Sequence, residues 1–451
     1  MPRSAARKTQ MASPSSSETV AQALATLQAL HPKKIDLGLE RIERVLSALA
    51  HPEQKLPPTL HVAGTNGKGS TVAFLRAFAQ AAGLKAHVYT SPHLVHFRER
   101  IVVGSQEISD AALIDVLARV REANDGAPLS FFEATTAAAL LAFSEAPADI
   151  CIIEVGLGGR YDATNVIDAS ACVITPIDYD HAEFLGRDLA GIAREKAGIM
   201  RPNTPVIIGL QTDLVRAVLE AEADKLMASD THFGQDFRSY RQHGRLVFEQ
   251  EDELLDLPLP ALIGDHQILN AGTAIAAARI MQIPQDAIEK GLTTVSWPAR
   301  LQNLTSGALA EKVSESGGEL WLDGGHNPHA ARAIASTMAE LEAKAPRPLI
   351  LFTGILANKD IGGFLDAFEG LASAVISVEI EGHASLSPHT LAELASNRGL
   401  VSRSAENLTD AVALAIDTGL TISQTDAPDS PRAARILICG SLYLAGEALK
   451  L

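Results

Sequence analysis

Between residues 59 and 83 a strand-like run, TLHVAG, passes into the glycine-rich stretch GTNGKGS and then into the Ala-rich helical stretch TVAFLRAFAQAAG. This order constrains the fold more than any other feature. A buried strand feeding a loop that opens a helix requires a sheet with helical cover, and it is the unit that phosphate binding uses. Glycines let backbone N–H groups converge on phosphate oxygens at the helix N-terminus; Lys68 adds a point charge and Ser70 a hydroxyl suited to magnesium. The loop Gly64, Thr65, Asn66, Gly67, Lys68, Gly69 and Ser70 departs from the common GxxxxGK(S/T) pattern. Val62 stands where the first glycine belongs, and Gly69 separates Lys68 from Ser70. The plainer reading is a tight turn with an exposed lysine; the flanking strand and helix favour a nucleotide site.

The rest of the chain repeats the alternation. KAHVYTS, ADICIIEVG, ASACVITPI and TPVIIGL read as buried parallel strands, interleaved with helical patterns such as DAALIDVLARVREAND and EATTAAALLAFSEA. Residues 231–259 turn polar and mixed, as a small antiparallel excursion would. After WPAR at 297–300 a second series begins, with strands GELWLDG, RPLILFTG, SAVISVEI and RILICGS. The fold class expected is α/β in two domains. An N-terminal P-loop ATPase-like doubly wound sheet occupies 19–298, and a smaller C-terminal Rossmann-like α/β domain occupies 299–451. Residues 1–18 read as a disordered tail, basic and Ser-rich without an apolar core, and 421–432 as a surface loop.

Charge narrows the partners. Lys and Arg number 38 against 54 Asp and Glu, a formal charge of −16 that argues against nucleic-acid binding, as do aromatics at 4%. No apolar run reaches the ~18 residues of a membrane span, so a cytoplasmic enzyme with no membrane partner is expected. Cys151, Cys172 and Cys439 lie in apolar runs without CxxC spacing and read as reduced, buried thiols.

Downstream of the loop, Glu154 closes a strand and opens onto VGLGGRYDATN, where open α/β sheets place ligands. His181 in DYDHAEFLG follows the next strand, and Lys196 lies on the helical segment after it. Each alone has an ordinary reading: a polar strand end, a structural histidine, a solvated lysine. With Ser70 and Ser91, the residues Glu154 and His181 supply oxygen and nitrogen ligands to a hard cation, and magnesium suits a nucleotide enzyme. Asp323 and His326, in DGGHNP, sit at another strand end, and Arg300 in the interdomain turn lies where a cation reaches nucleotide phosphates. Turn chemistry and a surface arginine remain the alternatives there.

AGTNGKGS, TSPHL, FRERI, FFEATTAAA, EVGLGGRYDATN, DHAEFLG, EKAGI, GDHQILNA, DGGHNP and CGSLYLAGE follow the order of the folylpolyglutamate synthase/dihydrofolate synthase family, in the Mur ligase superfamily. The resemblance runs from about Ile35 to Leu451. It implies an ATP-dependent ligase of folate biosynthesis. A carboxylate is activated as an acyl phosphate and attacked by the amine of L-glutamate, the acceptor being 7,8-dihydropteroate or a tetrahydrofolate. It implies ATP as substrate, magnesium held by Ser70, Ser91, Glu154 and His181, and a CO2-derived carbamate on Lys196. By the same resemblance Asn270, Arg300 and Asp323 contact nucleotide, while Lys68, Lys196, Asp323, His326 and Ser441 carry catalysis or glutamate. Ile35, Asp36, Leu37, Gly38, Phe132, Tyr161, Asp162 and Ala163 resemble the pterin pocket. A monomer is expected.

Two departures stand out. The usual Trp-x-Gly-Arg turn is Trp297-Pro298-Ala299-Arg300, so a positive φ would strain Ala299; Gly325 replaces an alanine. Two competing readings are a Mur-type ligase of peptidoglycan precursors and a P-loop switch. The first generally carries an extra N-terminal domain, for which the ~60 residues before the loop leave no room, and the second has no use for DGGHNP and CGSLYLAGE. With an acidic chain, anionic folate must be met by local cations such as Arg98, Arg100 and Arg160.

Overall fold

A computed structural model describes residues 19–29, 38–180, 182–426 and 431–451. The expectations for 1–18, Ile35, Asp36, Leu37 and His181 lie outside the described residues.

Eight strands form the first sheet: β1 Thr59–Ala63, β2 Ala86–Tyr89, β3 Ile101–Val103, β4 Gln106–Glu107, β5 Ile150–Glu154, β6 Ala171–Ile174, β7 Val206–Ile208 and β8 Asp230–His232. Their order is β4-β3-β2-β5-β1-β6-β7-β8, parallel from β2 to β8, with β3 and β4 antiparallel at one edge. The central strands are buried throughout, which is why they read as continuous apolar runs. The sheet grows outward from β1 in both directions, so ligands are expected at its carboxyl end. Pairing of Val62 with Glu154 sets Glu154 beside the root of the glycine loop.

The polar stretch forms an antiparallel meander, β9 Phe237–Gln242, β10 Arg245–Gln250 and β11 Glu253–Leu257. It packs on the helix Asp265–Ile280, where the Ser239 hydroxyl donates to Ile268 O at 2.9 Å. The second sheet contains β12 Gln302–Leu304, β13 Glu319–Leu322, β14 Leu349–Thr353, β15 Ala374–Ser377, β16 Val401–Ser404 and β17 Arg435–Cys439, in the order β12-β13-β17-β14-β15-β16. Val295 and Trp297 pack into the core beneath the first sheet, whereas Ala299 and Leu301 join cores beside the second.

One expected loop is partly helix. Leu408–Asp426 continues through the first half of 421–432. The Thr421 and Thr425 hydroxyls donate to the carbonyls four residues back, at 3.0 and 2.9 Å, so these polar residues spend their hydroxyls inside the helix. Ser423 is buried and accepts from Arg432 N–H at 2.6 Å. The three cysteines are free and buried. Among the described residues no helix is long and apolar enough to cross a membrane.

Candidate active site

The glycine loop is anchored on its β6 side and open on the other. Thr65 and Asn66 N–H donate to Pro176 O at 2.9 and 3.1 Å, and the Thr65 hydroxyl donates to Asp178 O at 2.9 Å. Gly67, at φ 88°, opens the helix Lys68–Ala81 without a side-chain cap; a Cβ there would lie 2.4 Å from Asn270 Oδ1. Gly69, which the common loop lacks, has a steric reason. Its Cβ would fall 3.1 Å from Trp297 Nε1 and 3.5 Å from Arg300 Nη2, so the extra glycine admits the interdomain turn against the loop. Lys68 Nζ donates to Gly64 O and Thr65 O at 3.1 and 3.2 Å.

A cavity of about 530 Å³ opens between the two sheets. Thr65 through Ser70, Ser91 and Glu154 line one wall; Arg300, Asp323 and His326 line the other. Glu154 is buried, and burial raises its pKa against the pull of Lys68 and Arg300. Lys196 is also buried, its Nζ donating to Gly64 O at 2.8 Å. Burial first, and the Lys68 charge second, bring its pKa down to about 7. A pocket of about 20 Å³, bounded by Gly64, Lys68, Gly158, Asp180 and Lys196, adjoins that amine and is large enough for one small polar group.

Polar contacts cross the cleft. The Asn66 carboxamide meets His329 Nδ1 at 2.7 Å and accepts from Asn327 Nδ2 at 3.0 Å. Lys359 Nζ forms a buried ion pair with Asp180, whose other oxygen faces His326 Nε2 at 3.4 Å. Arg332 reaches Asp178 at 3.5 Å. Sequence reasoning missed Asp180, Lys359, His329 and Asn327. Asp180 was signalled by its place beside His181, but nothing in the pattern marked Lys359, whose partner lies 179 positions away.

Comparison with known proteins fits this two-walled cleft. The Mur ligase middle domain model matches residues 62–278, and the Mur ligase glutamate ligase domain model matches 310–441. Dihydrofolate synthase/folylpolyglutamate synthase of Escherichia coli is 34% identical over 97% of this chain and 96% of its own. The Mycobacterium tuberculosis protein of the same name is 35% identical over 92% and 90%. The chain belongs to the dihydrofolate synthase/folylpolyglutamate synthase family of Mur ligases. An E. coli FolC structure in complex with DHPP and ADP superposes with a TM-score of 0.85 at 32% identity, covering 97% of this chain and 98% of that one. A bifunctional folylpolyglutamate synthase/dihydrofolate synthase with Mn, AMPPNP and L-glutamate bound superposes at 0.82 and 32%, covering 96% and 98%.

The residues expected at the site, from the family and from the chain's acidic charge, fall into three groups. Those lining the cleft are Lys68, Ser70, Ser91, Glu154, Asn270, Arg300, Asp323 and His326. Ser70, Ser91 and Glu154 are a hard-oxygen set that suits a divalent cation. Among the described residues no group of three His, Cys, Asp or Glu side chains forms a closed metal cage, so the set fits magnesium completed by phosphate and water. Phe132 adjoins the cleft through Gly156, at which a Cβ would meet its ring at 2.3 Å.

The second group is occupied elsewhere. Ser441 does not line the cleft: buried, it caps the helix Leu442–Ala448 by accepting from Tyr443 N–H at 3.1 Å. The Asp162 carboxylate is spent on Leu157 N–H at 2.8 Å and on the Thr164 amide and hydroxyl. Ala163 is buried in an apolar core, Tyr161 is exposed and Gly38 half-buried. Asp323 accepts from Leu301 and Gly325 N–H at 2.8 and 2.6 Å, pinning the turn in which Ala299 takes φ 55° and Leu301 φ 43°. The missing glycine therefore does leave Ala299 in the left-handed region.

The third group is the cations. Arg98 pairs with Glu107 and Asp110 at the surface, and Arg160 faces Glu222 at 3.9 Å. Arg100 is held by His93 Nδ1 at 2.9 Å and by the Phe97 ring at 5.1 Å; burial lowers its pKa, with Glu154 among the charges facing it.

Proposed function

We propose that the chain uses ATP to join L-glutamate to 7,8-dihydropteroate, to the glutamate tail of a tetrahydrofolate, or to both. The observation that carries this is the single cleft in which Lys68 and Glu154 of one unit face Asp323 and His326 of the other. We place the division at 298/299, where Trp297 packs with the first core and Ala299 with the second. The site is completed within one chain, which supports action as a monomer.

The chemistry follows from bringing two anions together, the acceptor carboxylate and the γ-phosphate. Lys68 leaves the Gly64 and Thr65 carbonyls for the phosphate, and the amides of the loop receive its oxygens. Arg300 approaches from the interdomain turn, beside Gly69. Ser70, Ser91 and Glu154 would hold magnesium, which when bound spreads the charge on the phosphates. Arg100 is the cation we assign to the acceptor's carboxylate. Attack on the γ-phosphate gives an acyl phosphate and ADP; attack by the glutamate amine gives the amide and inorganic phosphate. His326 Nδ1 is bound to Gly324 O at 3.0 Å, so Nε2, beside Asp180, is the atom placed to take the ammonium's proton.

Lys196 we assign to carbamylation. A lysine with its pKa near 7 is substantially neutral at neutral pH, and the neutral amine is what adds to CO2. A 13C signal from labelled bicarbonate, lost in Lys196→Met, is the expected observation.

The direct test is ADP release with ATP, magnesium and L-glutamate, offering 7,8-dihydropteroate or tetrahydrofolate. Glutamate-dependent release is expected with at least one, and none with either would overturn the reading. Arg100→Ala should raise the acceptor KM and leave that of ATP unchanged.

A further inference from the structure

The strand that carries the phosphate loop also carries a histidine with no part in the chemistry above. His61 lies three residues before Gly64 on β1, fully buried, and its Nε2 is 2.9 Å from Thr164 Oγ1. Thr164 Oγ1 donates to Asp162 Oδ1, which also accepts from Thr164 N–H at 3.0 Å. Asp162 Oδ2 accepts from Leu157 N–H at 2.8 Å, and the carboxylate draws the Gly156 amide as well. His61, Thr164 and Asp162 are all nearly inaccessible to solvent. The chain of contacts thus runs from the centre of the sheet to the loop after Glu154, whose Gly156 lines the cleft beside Phe132.

Proton counting gives this chain a direction. A hydroxyl has one proton to give. Burial raises the Asp162 pKa, but the amides of Leu157, Gly156 and Thr164 and that hydroxyl all converge on the carboxylate and oppose the rise, so its oxygens are the acceptors in this geometry. With its proton committed to Asp162, Thr164 can only accept from His61, which must hold its proton on Nε2. The bare Nδ1 agrees: it has no partner in the structure, and a buried nitrogen left unpaired costs less as a lone pair than as an N–H. Burial, helped by the Arg201 charge, keeps the ring neutral, with a pKa lowered to about 3. The opposite arrangement needs a protonated Asp162 and an orphaned buried Nδ1–H.

We propose that His61 and Thr164 are positioning residues for the acceptor: by ordering protons toward Asp162 they hold loop 155–159 in the shape on which the pteridine-bearing substrate rests. The proposal builds on the function assigned above. The far end of the same segment is held separately, by Arg201 on Asn165 O and Oδ1, both at 2.8 Å, and by Asn165 Nδ2 on Arg160 O and Gly198 O. Removing the relay should therefore loosen the loop's cleft side without freeing it altogether. Gly156 is the loop residue that meets Phe132, so the acceptor should feel the loss more than ATP, whose phosphate loop is anchored separately on Pro176 O and Asp178 O.

The test compares His61→Leu with His61→Gln, and Thr164→Val with Thr164→Ser, in the full-length protein. Gln can present an amide N–H where Nε2 stood, and Ser retains the hydroxyl. The expected result is an acceptor KM raised at least tenfold in H61L and T164V, an ATP KM within twofold of wild type, and recovery to within threefold in H61Q and T164S. Equal effects in the Leu and Gln variants, or acceptor and ATP KM moving together, would overturn the proposal and leave a merely structural role. If H61L fails to fold, the Thr164 pair decides alone. Independently of any substrate, 15N shifts of the wild-type protein should show His61 protonated on Nε2; protonation on Nδ1 would overturn the relay. Failure of the wild type to turn over any pteridine acceptor would count against the assigned function and leave the tautomer measurement to decide the relay.

Discussion

Two strand-end loops face each other across the cleft, and the contrast between their helices explains the division of labour. The helix after β1 opens on Gly67 with no side-chain cap, so the amides of its first turn remain available to an anion. The helix after β13, Pro328–Lys344, opens on Asn327, whose side chain accepts from Ala330 N–H at 2.9 Å. Its loop is closed by Asp323, which takes the amides of Leu301 and Gly325. Both loops are glycine-rich turns at the carboxyl end of a parallel strand. One spends the Thr65 and Asn66 amides on Pro176 O but leaves those of its helix's first turn open for ligand; the other spends its donors on itself and becomes a frame for Arg300 and His326. Glycine content does not separate them, but the presence of an internal acceptor does.

The largest effect should come from emptying the open loop of charge. Lys68→Ala and Glu154→Ala should each lower kcat/KM for ligation by at least about 1,000-fold, about 4 kcal/mol, the upper end of the ~2.7–4 kcal/mol that removing a single electrostatic group costs. Unfolding curves should remain close to wild type, since both side chains serve ligands. Near-wild-type rates in either would erase the contrast.

Next is Lys196, which the open loop keeps buried beside Gly64. Its folded pKa of about 7 lies below the ordinary value of 10.5. The folded form therefore binds fewer protons between those limits, and stability rises with pH across them. The contribution is complete above 10.5 and lost as pH falls to about 7. In CO2-free buffer, Lys196→Met should be the more stable protein at pH 7 by chemical denaturation, with its advantage shrinking toward pH 9, and it should be inactive. A constant or growing advantage would contradict the burial argument.

The closed loop should break differently. Asp323→Asn sets an amide N–H₂ against one of two backbone donors and should cost about 2 kcal/mol of stability along with activity. Asn327→Ala removes a cap and should cost about 1 kcal/mol, with a smaller loss of rate. Denaturation midpoints measured beside kcat separate these from Lys68→Ala, where rate falls and stability holds.

Much of this was legible beforehand because burial writes itself into sequence. The central strands of both sheets are apolar runs, and the glycine loop and Glu154 fall at strand ends, where the parallel fold puts ligands. What could not be read depended on partners far apart in the chain. Ser441, expected at the glutamate site, also caps a helix, and Asp162, expected in the pterin pocket, also gathers local amides. Residues 421–426 looked like loop because Thr and Ser are turn formers, yet their hydroxyls bond back into the helix. Lys359 and Asp180 meet only because the two sheets face each other. The reason for Gly69 emerges only once Trp297 and Arg300 are seen against it.

The central claim is that the open loop transfers phosphate to the acceptor's carboxylate before glutamate attacks, with the closed loop framing the second step. Acceptor labelled with 18O in its carboxylate, turned over with ATP, magnesium and L-glutamate, tests it most directly. The inorganic phosphate released should carry one 18O atom from the acceptor. Phosphate free of label would contradict acyl-phosphate formation and the account built on it.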